Sequence, residues 1–458
     1  MRILVLSINY WPDETGIAAF NIWRCEYLAS RGHQVTICTG PPYYPEWRVP
    51  EPYRGNPWQG RTWQQQERNG VNILRSWMFV PHALTTKARI LHEASFLASS
   101  FARALFSRLS LTRSGGKPDL IYAVSPPLGL ALTASTLSRL WRVPFVFDVM
   151  DLQPDAALEL GMMQQSAIMR ALYRIERMAY ERAALVGTIT EGMRQRIVEK
   201  GVDPAKVVLF PARADRSLYT LRECNVDANK AENTDEHTDK HTDENKGAAF
   251  RERYGLRGKV IVSHSGNMGV KQGLGVILDA AAQSRERPDI HYLFVGDGAM
   301  RHQLQEQARA RSLNVGSLNN VLFLPVLEQE DFRQMLSATD ITLITQQRVV
   351  SNIVFPSKTV TLLCAGCPVI ASVNSESEVA RAVQRSGAGE VVEPEDATAL
   401  FEAIDRLSKS PETLARMSVR ARQYAEENWD ERRTLPRMEE QLMQCVERWR
   451  TRRSHSTE

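Results

Sequence analysis

The chain has 458 residues, 43% hydrophobic and 24% charged; this is the make-up of an ordinary soluble globular protein, and its length exceeds one core, so two domains are expected. A formal net charge of +4 is small for this length and gives no ground for a nucleic-acid partner, and no run of 18 apolar residues is present to span a membrane. Six scattered cysteines, with no signal-peptide core ahead of them, lead to the expectation of a reduced cytoplasmic protein.

In chain order, RILVLSI (2–8) predicts a buried strand, followed by a loop and a helix over about 16–30 that Gly32 ends. HQVTICTG predicts the next strand. DLIYAVS, a helix over about 129–140, PFVFDVM, AALVGTIT and KVVLFP then continue the alternation. Short apolar strands separated by helices mean a parallel sheet covered on both faces. The pattern restarts after about 200–216 with KVIVSHS, HYLFVGDG, VLFLPV, ITLIT and CPVIAS, which predicts a second doubly wound α/β domain. Cys364 and Cys367 form a C-x-x-C without a second pair or a nearby histidine and read as small core residues. The final helices, from 411 onward, end in a basic tail expected to fray.

Two segments fall outside this pattern. Residues 223–247 hold a TDEH/TDKH/TDEN near-repeat with a single branched apolar residue, too little to bury, and read as a flexible insertion rather than a metal site at His237 and His241. Over 77–117, Lys87, Arg89, Arg103, Arg108, Arg113 and Lys117 stand against one acid, Glu93, with Phe79, Phe96, Phe101 and Phe106 interleaved. That composition fits either the solvated basic face of a surface helix or a helix resting on an anionic membrane.

Chemistry is concentrated in the strand-to-helix loops. In VIVSHSGNMGVKQGLGVILDA, Gly266, Gly269 and Gly273 surround Lys271: backbone N–H groups at a helix start and one point charge suit a diphosphate, although a plain turn with an exposed lysine has the same spacing. In FPSKTVTLLCAGCPVIA, Lys358 falls in a helix's first turn, where its charge opposes the dipole unless an anion sits beside it. VGDGAM makes a third such turn. No G-x-G-x-x-G, P-loop or D-x-D occurs. In the first half, SINYWPDETGIAAF occupies the matching position, and FDVMDLQPDAALELG sets Asp148, Asp151 and Asp155 behind a buried strand, with Asp151 and Asp155 also suited to capping.

INYWPDETGIAAF, LASRGHQVTICTGPPYYPEW, SGNMGVKQGL, FVGDGAMR and PSKTVTLLCAGCPVI, in that order, resemble the retaining GT-B glycosyltransferases of family 4, and among them look most like bacterial exopolysaccharide enzymes of the colanic acid type. The resemblance spans nearly the whole chain outside the insertion. It implies a GT-B fold: two Rossmann-like doubly wound domains facing across a cleft. The acceptor-binding domain would be 1–205 and the nucleotide-sugar-binding domain 206–429, with the helix at about 430–450 packing back on the first. It further implies a hexosyltransferase type of enzyme in which Lys271 and the amide near Gly16 meet the donor diphosphate. Ser357 and Lys358 would lie near the sugar-phosphate, and Val326 and Leu327 would form the base-contacting turn, with Gly266, Asn267, Gly296 and Thr361 completing the donor set. Lys271 and Lys358 would stabilise the leaving diphosphate without a metal or other cofactor, and Asp151, or else Asp148, would position or deprotonate the acceptor hydroxyl.

The acceptor implied is a lipid-linked glycan, which turns the 77–117 segment toward peripheral contact with the cytoplasmic membrane face. The chain departs from the family's pattern in four places: Asn267 stands where an arginine is common, Ile353 and Thr361 where two glutamates are, and Ala212 where an asparagine is. Two other readings share the architecture, a nucleotide-sugar epimerase and a degenerate, non-catalytic binding subunit.

Overall fold

The computed structural model of the chain describes residues 1–14, 16–54, 65–83, 85–111, 116–159, 167–210, 216–219, 221, 240–313, 319–349 and 357–454. It forms two compact units, Met1–Ala212 together with Arg432–Glu458, and Arg213–Glu431.

The first unit begins β1 (Arg2–Leu6), α1 (Ile17–Ser30), β2 (Gln34–Thr39), β3 (Gln65–Arg68), β4 (Val71–Arg75) and α2 (Thr86–Leu111). It continues through β5 (Leu120–Ser125), α3 (Leu130–Trp141), β6 (Phe145–Val149), α4 (Gln153–Glu159), α5 (Ala167–Arg182), β7 (Leu185–Thr188), α6 (Glu191–Glu199) and β8 (Val207–Leu209). These strands form one sheet in the order β3-β4-β2-β1-β5-β6-β7-β8, parallel except for β3. Continuous apolar runs such as LIYAVS in β5 are buried along their whole length because helices cover both faces. Phe96 of α2, Leu137 of α3, Ala179 of α5 and Ile197 of α6 share a core on one face. Trp23 and Leu28 of α1 lie in the core of the other.

The second unit holds α7 (Lys240–Arg253), β9 (Val260–Ser265), α8 (Gly275–Gln283), β10 (Ile290–Val295), α9 (Arg301–Ala310), β11 (Val321–Leu324) and α10 (Gln329–Ala338). Then come β12 (Ile341–Thr345), α11 (Ser357–Cys364), β13 (Val369–Ser372), α12 (Glu378–Ser386), β14 (Gly389–Val392), α13 (Ala397–Ser408) and α14 (Pro411–Trp429). Its sheet runs β11-β10-β9-β12-β13-β14, all parallel. The last helix, α15 (Glu431–Ser454), returns to the first unit. There Leu435, Met438 and Leu442 join the α1 face of the core, and Glu439 accepts hydrogen bonds from Tyr27 (2.9 Å) and Arg31 (3.2 Å).

Two expectations change. The insertion read as flexible over 223–247 is helical from Lys240, because Phe250 is fully buried and Gly247 lies against the backbone of Ser337 on α10, which anchors the helix to the second unit. Residues 223–239, His237 among them, lie outside the described residues. The basic tail does not fray at 448: the helix runs to Ser454, held by Arg450 to Asp119 (2.6 Å) and Arg453 to the carbonyl of Arg142 (2.9 Å).

Candidate functional site

In both sheets the chain first fills one side of a central strand and then crosses to the other. The direction reverses between β1 and β5 in the first sheet and between β9 and β12 in the second. Loops at the carboxyl ends of strands beside such a reversal form a crevice in open α/β sheets.

In the second unit that position belongs to the glycine loop after β9. Gly266, with φ of +122°, donates its N–H to the carbonyl of Val295 at 2.8 Å, and Met268 donates to Asp297 at 2.7 Å. The loops after β9 and β10 are therefore zipped together. A Cβ at Gly296 (φ +130°) would fall well inside contact with the carbonyl oxygen of Gly266, and one at Gly298 would come within 2.6 Å of Asn267 Oδ1. Close backbone approach, not only turning, is why glycines occupy these sites. Gly296→Ala should accordingly destabilise the second unit by roughly 1–3 kcal/mol from the backbone alone. A urea midpoint unchanged from the parent would show that the loop has room to open.

Beyond Gly269, residues Val270–Gln272 make a short 3-10 turn, so strand passes to helix in two steps. Lys271 is exposed on this turn, and its carbonyl accepts from the N–H of Gln347 at 2.9 Å, tying the glycine loop to the chain after β12. Thr345 Oγ1 donates to the carbonyl of Gln272 at 2.6 Å from the same side.

Lys358 comes to the same place from α11. Its Nζ is enclosed, has no hydrogen-bond partner among the described residues, and lies 3.7 Å from where a Cβ of Gly266 would stand. Burial pulls the ammonium down to about 8. The imidazole of His264, buried at the end of β9, is kept neutral by its burial and by the nearby Lys358 charge. Lys358, Gly266, Asn267 and Gly296 are thus brought together, with Lys271 on the adjoining turn and half-buried Thr361 one helical turn after Lys358. Val326 (72% exposed) and half-buried Leu327 follow β11 at the same edge of the sheet. Ser357 begins α11, its side chain outside the described set, and Ile353 and Ala212 fall among residues not described.

In the first unit, Gly16 (φ +58°) is the exposed N-cap of α1. The loop before it is held by Asp13, a residue sequence reading passed over. Asp13 accepts hydrogen bonds from the N–H groups of Tyr43 (3.3 Å) and Tyr44 (3.5 Å) and from Asn9 (3.3 Å), and burial raises its carboxyl above the ordinary range. Of the three aspartates in and after β6, only Asp151 stands in the turn between strand and helix, half-buried. That turn is braced by Gln153, whose side chain accepts from the N–H of Leu128 at 2.6 Å. Asp155 is engaged by Lys200 (2.7 Å) and Tyr173 (2.9 Å).

Asp148 is a correction. It is completely buried within β6, paired with Arg24 at 2.5 Å and accepting from Tyr122 at 2.7 Å, so it cannot meet an acceptor hydroxyl. Arg24, which also donates to the carbonyl of Phe210 at 2.7 Å, was equally hidden from sequence reasoning, since nothing in NIWRCEY marks its arginine as buried.

Comparison with known proteins places two family models in tandem along the chain: a glycosyl transferase 4-like domain over residues 15–213 and a glycosyl transferases group 1 domain over 248–424. A glycosyl transferase named for colanic acid biosynthesis, WcaI of Escherichia coli, is 29% identical over 442 residues, covering 95% of this chain and 98% of its own. The alpha-D-kanosaminyltransferase of Streptomyces kanamyceticus is 25% identical over 54% of this chain and 56% of its own. Among solved structures, Anabaena HepE in complex with UDP superposes with a TM-score of 0.65 at 16% identity, covering 97% of this chain and all of that one. The sucrose-phosphate synthase of Thermosynechococcus elongatus gives 0.66 at 16% identity, over 97% and 98% of the two chains.

Proposed function

Because the chain belongs to the GT-B glycosyltransferases of the group 1 and family 4-like kind, we propose that it moves a sugar, with retention, from a nucleotide-diphosphate donor to a lipid-linked glycan in exopolysaccharide synthesis. The observation carrying this reading is the Lys358 amine, enclosed and unpartnered beside the glycine loop at the sheet's reversal point. A buried cation without a counter-charge is costly, and an anionic ligand reverses the sign of that cost. The donor diphosphate is that ligand, with Lys271 as a second charge and the N–H groups of the loop as donors. Developing charge on the departing diphosphate is where such groups act, each contributing on the order of 3 kcal/mol to the barrier. Asp151 positions or deprotonates the acceptor hydroxyl. The 77–117 segment meets the cytoplasmic membrane face peripherally, and among the described residues no helix is long and apolar enough to cross a membrane.

Thermal unfolding of the purified protein against UDP-, GDP- and dTDP-sugars tests the donor site. A ligand at a hundred times its dissociation constant adds about 2.7 kcal/mol. One nucleotide should shift the melting temperature, and Lys271→Ala should abolish that shift. The UDP and UDP-glucose complexes of HepE make uracil the first base to try. A shift that survives in Lys271→Ala removes the lysine from the site. Thr361, where the family commonly has a glutamate, supports a second reading as a binding subunit; nucleotide binding without transfer to any lipid-linked acceptor would decide for it.

A further inference from the structure

Most aromatic side chains of the first unit are buried or half-buried, but Tyr44, in the loop after β2, is 40% exposed. The residue before it fixes that exposure. Tyr43 turns inward, and its ring meets those of Trp47 and His92 edge-on at centroid distances of 5.2 and 4.8 Å. Tyr44 turns the other way, and its Cε1 passes 3.9 Å from where a Cβ of Gly16 would stand. The N–H of Arg48 closes the turn onto the carbonyl of Tyr43 at 3.2 Å. Within it Trp47 holds φ of +53°, a conformation that a bulky residue keeps only where its surroundings dictate it.

Three buried polar side chains lock this loop to the one after β1. Asp13 accepts from the N–H groups of both tyrosines. Arg75, on β4, donates to the carbonyls of Gly40 at 3.0 Å and Trp11 at 2.6 Å, one from each loop. Asn21, on α1, donates to Ser7 Oγ at 2.6 Å and to the carbonyl of Asn9 at 3.0 Å. A tyrosine that faces only water gains nothing from being held so firmly. One that stacks on a ligand does, because its ordering entropy is lost before binding and not during it.

A flat ring clear of the backbone matches the face of a pyranose, whose ring C–H bonds form an apolar patch bordered by hydroxyls. Stacking covers that patch and leaves the hydroxyls to water or to exposed polar neighbours, here Glu46 and Arg48. We propose that a sugar of the acceptor glycan stacks on Tyr44, and that Asp13 is the residue that positions the ring for it. The loops after β1, β2 and β6 follow parallel strands and so share one edge of the sheet, which puts Tyr44 and Asp151 on the same edge. Only β5 separates β1 from β6, about 10 Å at ordinary strand spacing, a distance on the scale of one sugar unit. A pyranose on Tyr44 beside Gly16 can therefore present a hydroxyl toward Asp151. The inference rests on the glycan acceptor and the Asp151 role proposed above, and it assigns a contact that selects the acceptor's sugar.

Saturation-transfer NMR of the full chain, with the methyl glycosides of glucose, galactose, mannose and fucose as probes, tests this. At least one probe should take up saturation on its ring C–H protons, with signals moved upfield by the ring current. Tyr44→Phe should keep the effect. Tyr44→Ala should lower it by roughly tenfold, as should Tyr44→Leu, which retains bulk beside Gly16 without a flat face. Asp13→Ala should lower it with Tyr44 intact, and Asp13→Asn, whose amide oxygen still accepts, should recover most of it. Tyr44 is exposed, so unchanged melting temperatures in its variants will show an intact fold. No saturation of any probe overturns the proposal, as does equal saturation in Tyr44→Ala. So does a thermal shift with UDP or a UDP-sugar that shrinks in Tyr44→Ala, which would give the ring to the donor. Thermal shifts on the same parent samples keep the two readings apart: saturation without any nucleotide shift sinks the donor site alone, and a nucleotide shift without saturation sinks the Tyr44 contact alone.

Discussion

Lys358→Met should make the ligand-free protein more stable and its nucleotide binding roughly ten- to a hundredfold weaker. Both effects come from one atom. In the free protein Nζ is enclosed without a partner among the described residues, and the fall of its ionisation to about 8 corresponds to a cost on the order of 3 kcal/mol at neutral pH. Methionine has a similar reach and no charge, so it removes that cost. The diphosphate then loses its enclosed counter-ion. A residue kept only for packing would not move stability and affinity in opposite directions.

The pH dependence follows with a definite sign. The folded value of Lys358 lies below the unfolded value, so the cost of the buried ammonium is fully present below about 8 and disappears as pH rises toward the unfolded range. His264 on β9 is already neutral there and contributes no opposing titration. Affinity for a nucleotide diphosphate should therefore be flat up to about pH 8 and then fall, as the free amine loses the proton the ligand requires. Lys358→Met should show no such fall. Calorimetry of UDP binding across pH 7–10, in buffers of differing ionisation enthalpy, measures both the affinity and the proton taken up. An affinity independent of pH in the parent would remove Lys358 from contact with the diphosphate.

Asp148→Ala should cost about 3–5 kcal/mol of stability, the largest effect expected among Asp148, Asp151 and Asp155. It would leave the guanidinium of Arg24, 2% exposed, with Tyr122 and one backbone carbonyl but no counter-charge. Replacing the pair together, Arg24→Met with Asp148→Leu, should cost less than the two single changes summed, because no orphan charge remains. Asp151→Ala, at a half-buried turn position, should cost less stability than Asp148→Ala while removing transfer. Urea denaturation separates the two aspartates. A stable Asp148→Ala variant that specifically loses transfer would restore Asp148 as the base.

The sheets were legible because parallel strands buried on both faces write long apolar runs, and the loops because glycine spacing is a backbone requirement. The strand pair β3–β4 escaped notice: QQER is a half-exposed edge with no apolar run. Its one strong mark was Asn69-Gly70, which turns the hairpin with φ of +47° and +76°. The site was legible in part for a similar reason. Lys271 and Lys358 could be placed by their position after strands, but the enclosure of Lys358, the neighbouring His264 and the clamp at Asp13 come from contacts between residues distant in the chain. Asp148 and Asp151, three residues apart, look alike as letters; only the strand register puts one inside the sheet and the other at its edge.

The first unit is written in two instalments, with the whole of Arg213–Glu431 between them. During synthesis β1 to β8 emerge first, yet the face that α1 shares with Leu435, Met438 and Leu442 stays uncovered until the last stretch of chain leaves the ribosome. The second unit, contiguous in the message, can finish folding before the first does. A chain released after residue 431 should therefore carry a protease-resistant second unit beside a first unit that still invites chaperones.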